Sequence, residues 1–86
     1  GDMNHIILPA NESISIPFIR NTQFSTFTLG IYNISQHVQI NIEDTKQILH
    51  EGDLLIFSTT ASCPQTITII NKGNKTADLV TIHLSI

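Results

Sequence analysis

VQINIEDTKQILHEGDLLIF, residues Val38 to Phe57, carries the signals that decide the fold. Val38, Ile40 and Ile42 alternate with Gln39, Asn41 and Glu43, the period-two pattern of a strand with one buried face. Glu43-Asp44-Thr45-Lys46 is a polar turn, and Gln47 to Leu49 can pair back across it. Glu51-Gly52-Asp53 makes a second turn. Leu54-Leu55-Ile56-Phe57 is then a continuous apolar run, which reads as a strand buried on both faces.

The pattern continues on both sides. Upstream, Phe24 to Tyr32 alternates with Phe27, Leu29 and Ile31 on one side, and Ser13 to Phe18 places Ile14, Ile16 and Phe18 together. Pro17 marks that strand as an edge, because proline cannot donate to a ladder. Arg20 to Gln23 reads as a loop. Downstream, Ser58 to Gln65 is a loop of small polar residues ending after Pro64, and Thr66 to Ile70 is a strand. Asn71-Lys72-Gly73-Asn74 reads as a hairpin turn with Gly73 at positive φ. Asp78 to Ile86 is the last strand, with Val80, Ile82, Leu84 and Ile86 on one face.

Composition agrees with this reading. The chain has 16 Ile, 10 Thr and 2 Val against 3 Ala, and β-branched residues favour strands over helices. No stretch keeps a capped 3.6-residue period. The prediction is an all-β fold, a single antiparallel β-barrel or sandwich of seven or eight strands, of jelly-roll type. Eighty-six residues allow one domain, with Gly1 and Asp2 read as a tag remnant and residues 3–86 as the domain. A domain of this size buries only about 60% of its unfolded surface, so its core is thin.

Charge narrows the partners. The net charge is −3, and the four basic residues, Arg20, Lys46, Lys72 and Lys75, are scattered. Nucleic acid and anionic membrane surfaces need clustered cations, so neither is an expected partner of this chain. Cys63 is the single cysteine, which excludes an internal disulfide and fits a reducing compartment or a fragment of a larger protein. With no apolar run of membrane-spanning length and no signal-type stretch after Met3, the expected location is the cytoplasm.

Catalytic patterns are weak. His5, His37, His50 and His83 form no close pair of zinc-ligand spacing. His37, His50 and His83 fall on the polar side of a strand or near a turn. Glu43, Asp44, Glu51 and Asp53 sit in turns, where solvation or hydrogen bonding to backbone N–H groups is their ordinary role. Cys63 has no neighbouring base or cation to lower its pKa, so it reads as a packed or pocket-lining thiol. There is no nucleophile elbow and no phosphate loop.

The stretch from Val38 to Ile86 resembles the small cupin barrel, and in particular the ligand-sensing domain at the front of AraC-type transcription regulators. The resemblance is carried by VQINIEDTKQILHEGDLLIF, with its Leu49-x-x-Gly52-Asp53-Leu54 piece, and by PQTITIINKGNKTADLVTIHLS over residues 64–85. Metal-binding cupins place two histidines and a glutamate in a first motif and a further histidine in a second. Gln23, Ser25 and Leu29 stand near the first set of places here, and Cys63 or Gln65 near the second. The resemblance therefore implies a cupin-like domain without the metal site, and regulator sensor domains commonly lack it too. No helix-turn-helix lies within these residues, so it implies either an excised sensor domain or a stand-alone relative that binds no DNA.

The functional expectation is a non-enzymatic ligand-sensing or interaction domain, the regulatory domain of an AraC-type regulator. It needs no cofactor and forms a homo-oligomer, most simply a dimer. Barrels of about eight strands can hold one small molecule. The pocket candidates are Phe27, Ile40, Ile42, Phe57 and Thr68 facing inward, with Cys63 at the mouth. The competing reading is that these residues simply fill the core. The alternative function is a structural or adhesion β-sandwich module of a virion or cell surface, whose exposed edges pair between copies. A cupin-type enzyme is the third reading, and a bound metal would reveal it.

Overall fold

In the computed structural model, which describes residues 2–17, 26–42, 45–60 and 66–85, the alternating segments form eight strands. They are β1 (Asp2–Leu8), β2 (Ser13–Pro17), β3 (Thr26–Asn33), β4 (Val38–Ile42), β5 (Thr45–Leu49), β6 (Leu54–Thr60), β7 (Thr66–Ile70) and β8 (Ala77–Ser85). Two antiparallel sheets result, ordered β1-β8-β3-β6 and β2-β7-β4-β5. Period-two alternation sends every second side chain between them. Leu8, Leu29, Ile31 and Leu79 from the first sheet meet Ile16, Val38, Ile40, Leu49, Ile67 and Ile69 from the second, and all are buried. Pro17 lies on an edge strand, as its missing N–H requires.

Several expectations change. The run Leu54–Phe57 is not buried on both faces: Leu55 and Phe57 pack against the core, while Leu54 and Ile56 are exposed. The reason is that among the described residues nothing is stacked on the outer side of this sheet. Residues 58–60, read as a loop, extend β6 because β3 is long enough to pair with them, as Thr28 does with Ser58. Thr45 and Lys46, read as turn, belong to β5. β1, which shows no clean alternation, is held by its register with β8 from Asp2–His83 to Leu8–Ala77. The expected loops at Arg20–Gln23 and around Cys63 lie outside the described residues.

The Asn71–Asn74 segment is not a hairpin. It links β7 in one sheet to β8 in the other. Gly73 has no positive φ; Gly52 does, at 84°, and Asn11 has 64°. Gly73 leaves room for the Gln36 side-chain amide instead, which a Cβ there would meet at 2.8 Å and displace.

Four connections gather at this end of the sandwich: residues 9–12, 34–37, 50–53 and 71–76. Each crosses from one sheet to the other, so its backbone groups leave the ladders and need other partners. Two fully buried asparagines supply them. Asn71 Nδ2 donates to the carbonyls of Leu8 (2.9 Å) and Lys75 (2.7 Å), and its Oδ1 accepts from the Gly73 N–H (3.0 Å) and Gln36 Nε2 (3.1 Å). Asn33 Nδ2 donates to the carbonyls of Gln36 and Leu49, both at 2.8 Å, and its Oδ1 accepts from the Ser35 N–H at 3.2 Å. Gln36 Nε2 also donates to the Lys75 carbonyl, and the Asp78 N–H donates to Ser35 Oγ at 2.7 Å. Asp53 behaves as a turn carboxylate should, with Oδ2 accepting from the His50 N–H at 3.0 Å.

Two predictions follow from this network. Asn71→Ala leaves buried carbonyls unpaired and should cost about 3 kcal/mol, whereas Asn74→Ala, exposed in the same turn, should cost under about 0.5 kcal/mol. Urea unfolding with an unchanged m-value measures both. Gly73→Ala should destabilise by displacing the Gln36 amide, and should be nearly neutral in a Gln36→Ala background. A double-mutant cycle that finds the two changes additive would show that backbone conformation, not this contact, fixes Gly73.

Candidate functional site

Nearest the crossovers the interior is filled, but along one seam it opens. β1 ends one sheet and β2 ends the other, and residues 9–12 join them. Among the described residues no strand ladder ties these two edges to each other, and a cavity of about 350 Å³ lies along them. β1 contributes Asn4 and Ile6, β2 contributes Ile14, Ser15 and Ile16, and β8 contributes Thr81 and His83. Ile16 and Thr81 are buried and form its floor, while Asn4 and Ser15 are exposed at its rim. The wall is mainly apolar, with the Asn4 carboxamide, the Thr81 hydroxyl and the His83 imidazole among its lining groups.

Local sequence explains how these groups arrive. In β8, Ala77 and Leu79 take inward core positions, so Thr81 and His83, two and four residues further on, face inward as well. His83 is half-buried and its Nδ1 is out of reach of water. The side of β8 that reads as polar is therefore the interior side. The opposite side carries Val80 and Ile82, part of an outer sheet face whose middle rows are apolar and whose margins hold His5, Asp78, Thr28 and Ser58.

The residues singled out from the sequence divide into three groups. Ile40 is fully buried in the core, with Ile42 and Phe57 half-buried against it, so these three come together as core packing and none lines the cavity. Thr68, expected inward, lies on the outer face. Ile67 and Ile69 hold the inward positions of β7, and Thr68 Oγ1 stands 3.4 Å from Ser15 Oγ on the exposed side. Phe27 belongs to β3 by its backbone pairing with Thr59, but its side chain is outside the described ones, and Cys63 lies outside the described residues. Asn4 and Ile6 escaped notice because β1 has no alternation to mark it, and His83 because of the apolar outer face beside it. The available signal was the spacing Ala77-x-Leu79-x-Thr81-x-His83.

A cupin metal would need several nitrogen or oxygen ligands facing the interior. The inward positions of β3 and β4 hold Leu29, Ile31, Val38 and Ile40, which are fully buried hydrocarbon. Among the described residues no three His, Cys, Asp or Glu side chains cluster. Of the described histidines, His83 alone lines the cavity, and His5 and His50 are exposed beside Asp78 and Asp53. These residues do not fit a divalent metal.

Comparison with known proteins places the architecture. No protein-family model matches the sequence, and no curated protein matches it. Among solved structures, a de novo designed double-stranded β-helix is similar over 98% of this chain and 100% of its own, with a TM-score of 0.80 and 12% identity. The Cnp3 cupin domain of Schizosaccharomyces pombe is similar over 98% of this chain, with a TM-score of 0.74 and 12% identity. A predicted oxalate decarboxylase from Thermotoga maritima is similar over the same share, with a TM-score of 0.70 and 13% identity. This chain spans 55% of the yeast chain and 65% of the Thermotoga chain. At such identities the likeness concerns the fold alone: eight antiparallel strands in two sheets, the cupin or double-stranded β-helix arrangement.

Proposed function

We propose that this chain is a non-enzymatic small-molecule-binding domain whose ligand enters the seam between β1, β2 and β8. The cavity carries this reading. Its size falls at the small end of ligand sites, and it combines an apolar wall with a few polar groups, the usual makeup of such sites. The ligand class is a neutral, mostly apolar molecule with one or two hydrogen-bonding groups, which Asn4, Thr81 and His83 can meet. The hydrocarbon at the inward positions of β3 and β4 supports binding rather than metal-assisted chemistry.

The finer reading is a cytoplasmic sensor domain of an AraC-type regulator that leaves DNA contact to another part of the protein. It rests on the resemblance over residues 38–86 and on the scattered cations. A second reading, a self-associating structural module, is favoured by one observation: the apolar outer face of the β1-β8-β3-β6 sheet.

Thermal unfolding in the presence of small neutral fragments tests the binding reading. A fragment at ten times its Kd should add about 1.4 kcal/mol and raise Tm by several degrees for a chain this short. Asn4→Trp, a change at the exposed rim, should abolish the shift without lowering the Tm of the free protein. If no fragment shifts Tm, or if the rim variant keeps the shift, the seam is not a binding site. Metal analysis of the purified protein should find no stoichiometric iron, zinc or manganese, and finding one would favour the enzyme reading.

A further inference from the structure

We propose that the outer face of the β1-β8-β3-β6 sheet is a self-association surface that takes a second copy of this chain, packed face to face about a two-fold axis. The antiparallel registers line up two rows across the four strands. Met3, Ile82, Gly30 and Ile56 form one row, and His5, Val80, Tyr32 and Leu54 form the next. Of the seven exposed large hydrophobic residues among those described, five stand on this face: Met3, Ile7, Tyr32, Leu54 and Ile56, between 41% and 70% exposed. The outer face of the other sheet carries Ser15, Gln39, Asn41, Lys46 and Thr68, with Ile48 (47% exposed) and Ile70 as its apolar members. The two outer surfaces of one thin sandwich therefore differ in kind.

Area, shape and charge name the occupant. The five exposed side chains leave on the order of 600 Å² open, the upper end of what a monomer shows and close to the ~800 Å² per partner of a standard interface. The half-buried Val80 and Ile82 add to that surface. A two-fold contact uses one and the same face on both copies. Met3 and Ile56 are exposed at the two ends of their row, and between them the Ile82 and Leu54 side chains close over the buried Gly30, so the apolar face is continuous across its middle. Sheets pack face to face through apolar sides. Charge disfavours the other occupants. The ionic pair described on this face is His5–Asp78, at 3.3 Å. Lys46 belongs to the other sheet, and Lys72 and Lys75 to the 71–76 crossover, so no described cation on this face holds an acidic protein or an anionic bilayer. A second copy brings a matching apolar, nearly uncharged surface. It would also cover the outer side of Leu54–Phe57, a run that is apolar on both sides.

The inference stands apart from the ligand reading, since the seam and the outer face are read by different assays. Light scattering on the full chain at micromolar concentration should give about 19 kDa, twice the 9.5 kDa chain. Ile56→Lys and Leu54→Glu, both at exposed positions, should each weaken the dimer about a hundred-fold, because each change enters a two-fold interface twice. Circular dichroism should show that both variants keep the native strand signal. Thr66→Lys, exposed on the other sheet, should remain dimeric. A wild-type chain that is monomeric at these concentrations overturns the proposal, as does a dimer that survives both face variants. Flotation of a monomeric chain with phosphatidylcholine vesicles would assign the face to lipid and overturn it as well.

Discussion

The sandwich depends on two buried carboxamides. A two-sheet fold built from short strands must carry its chain from sheet to sheet, and each crossing removes backbone groups from a ladder without returning them to water. Four such crossings meet at one end here. An asparagine side chain holds two donors and an acceptor on one planar group, so it can bind two carbonyls and an N–H at once. Asn33 and Asn71 do this, and Gln36 joins them by giving its own carbonyl to Asn33 and its side-chain amide to Asn71. Aspartate at either position lacks the donors, and leucine lacks everything but the volume. A chain poor in charge thus buries polar residues completely, because they replace secondary structure where the topology interrupts it.

This arrangement also determines where the interior can open. Leu8 and Ala77 pair directly beneath the polar end, and Asn71 holds the Leu8 carbonyl. Asn4 and Thr81 pair four positions further along the same two strands, about 13 Å away at ~3.3 Å per residue. There, among the described residues, the neighbouring edges β1 and β2 share no ladder and are joined through the short 9–12 connection. Separating them breaks no ladder hydrogen bond between sheets, whereas opening the sandwich through β4 or β8 would disturb central strands. The seam is where the two sheets part at least structural cost, at the end of β1 and β8 away from the 71–76 crossover.

Strands with one wet face are legible in the sequence. Ile14 and Ile16, Leu29 and Ile31, and Val38, Ile40 and Ile42 all point inward as their alternation indicates. The Glu51–Asp53 turn and the edge position of Pro17 are legible for local reasons, a glycine at positive φ and a missing donor. Long-range choices are not. Nothing local tells Asn71-Lys72-Gly73-Asn74 to cross between sheets rather than fold back, because the partners that decide it are Leu8 and Gln36, far away in sequence. β1 is strand by virtue of β8, so Asn4 and Ile6 could not be placed in a site beforehand. Thr68 illustrates the remaining difficulty: a one-residue shift in phase moves a side chain from the interior to the surface, and β7 is flanked by isoleucine on both sides of it.

The strands whose facing is hard to read are informative for that reason. Alternation identifies the buried side only when the other side is polar, and β6 and β8 fail that condition while β2 and β4 meet it. β6 and β8 belong to one sheet, and β2 and β4 to the other. The ambiguity therefore maps onto one outer surface. Leu54–Phe57 reads as buried on both faces because both of its sides are apolar, yet Leu54 and Ile56 are exposed. An 86-residue sandwich with an open seam has little core to spare, and each apolar side chain left in water forgoes about 25 cal/mol per Å² of burial. Burial of that kind is missing mainly on the face that holds five of the seven exposed large hydrophobic residues described, whereas the outer face of the other sheet, polar but for Ile48 and Ile70, holds one of them.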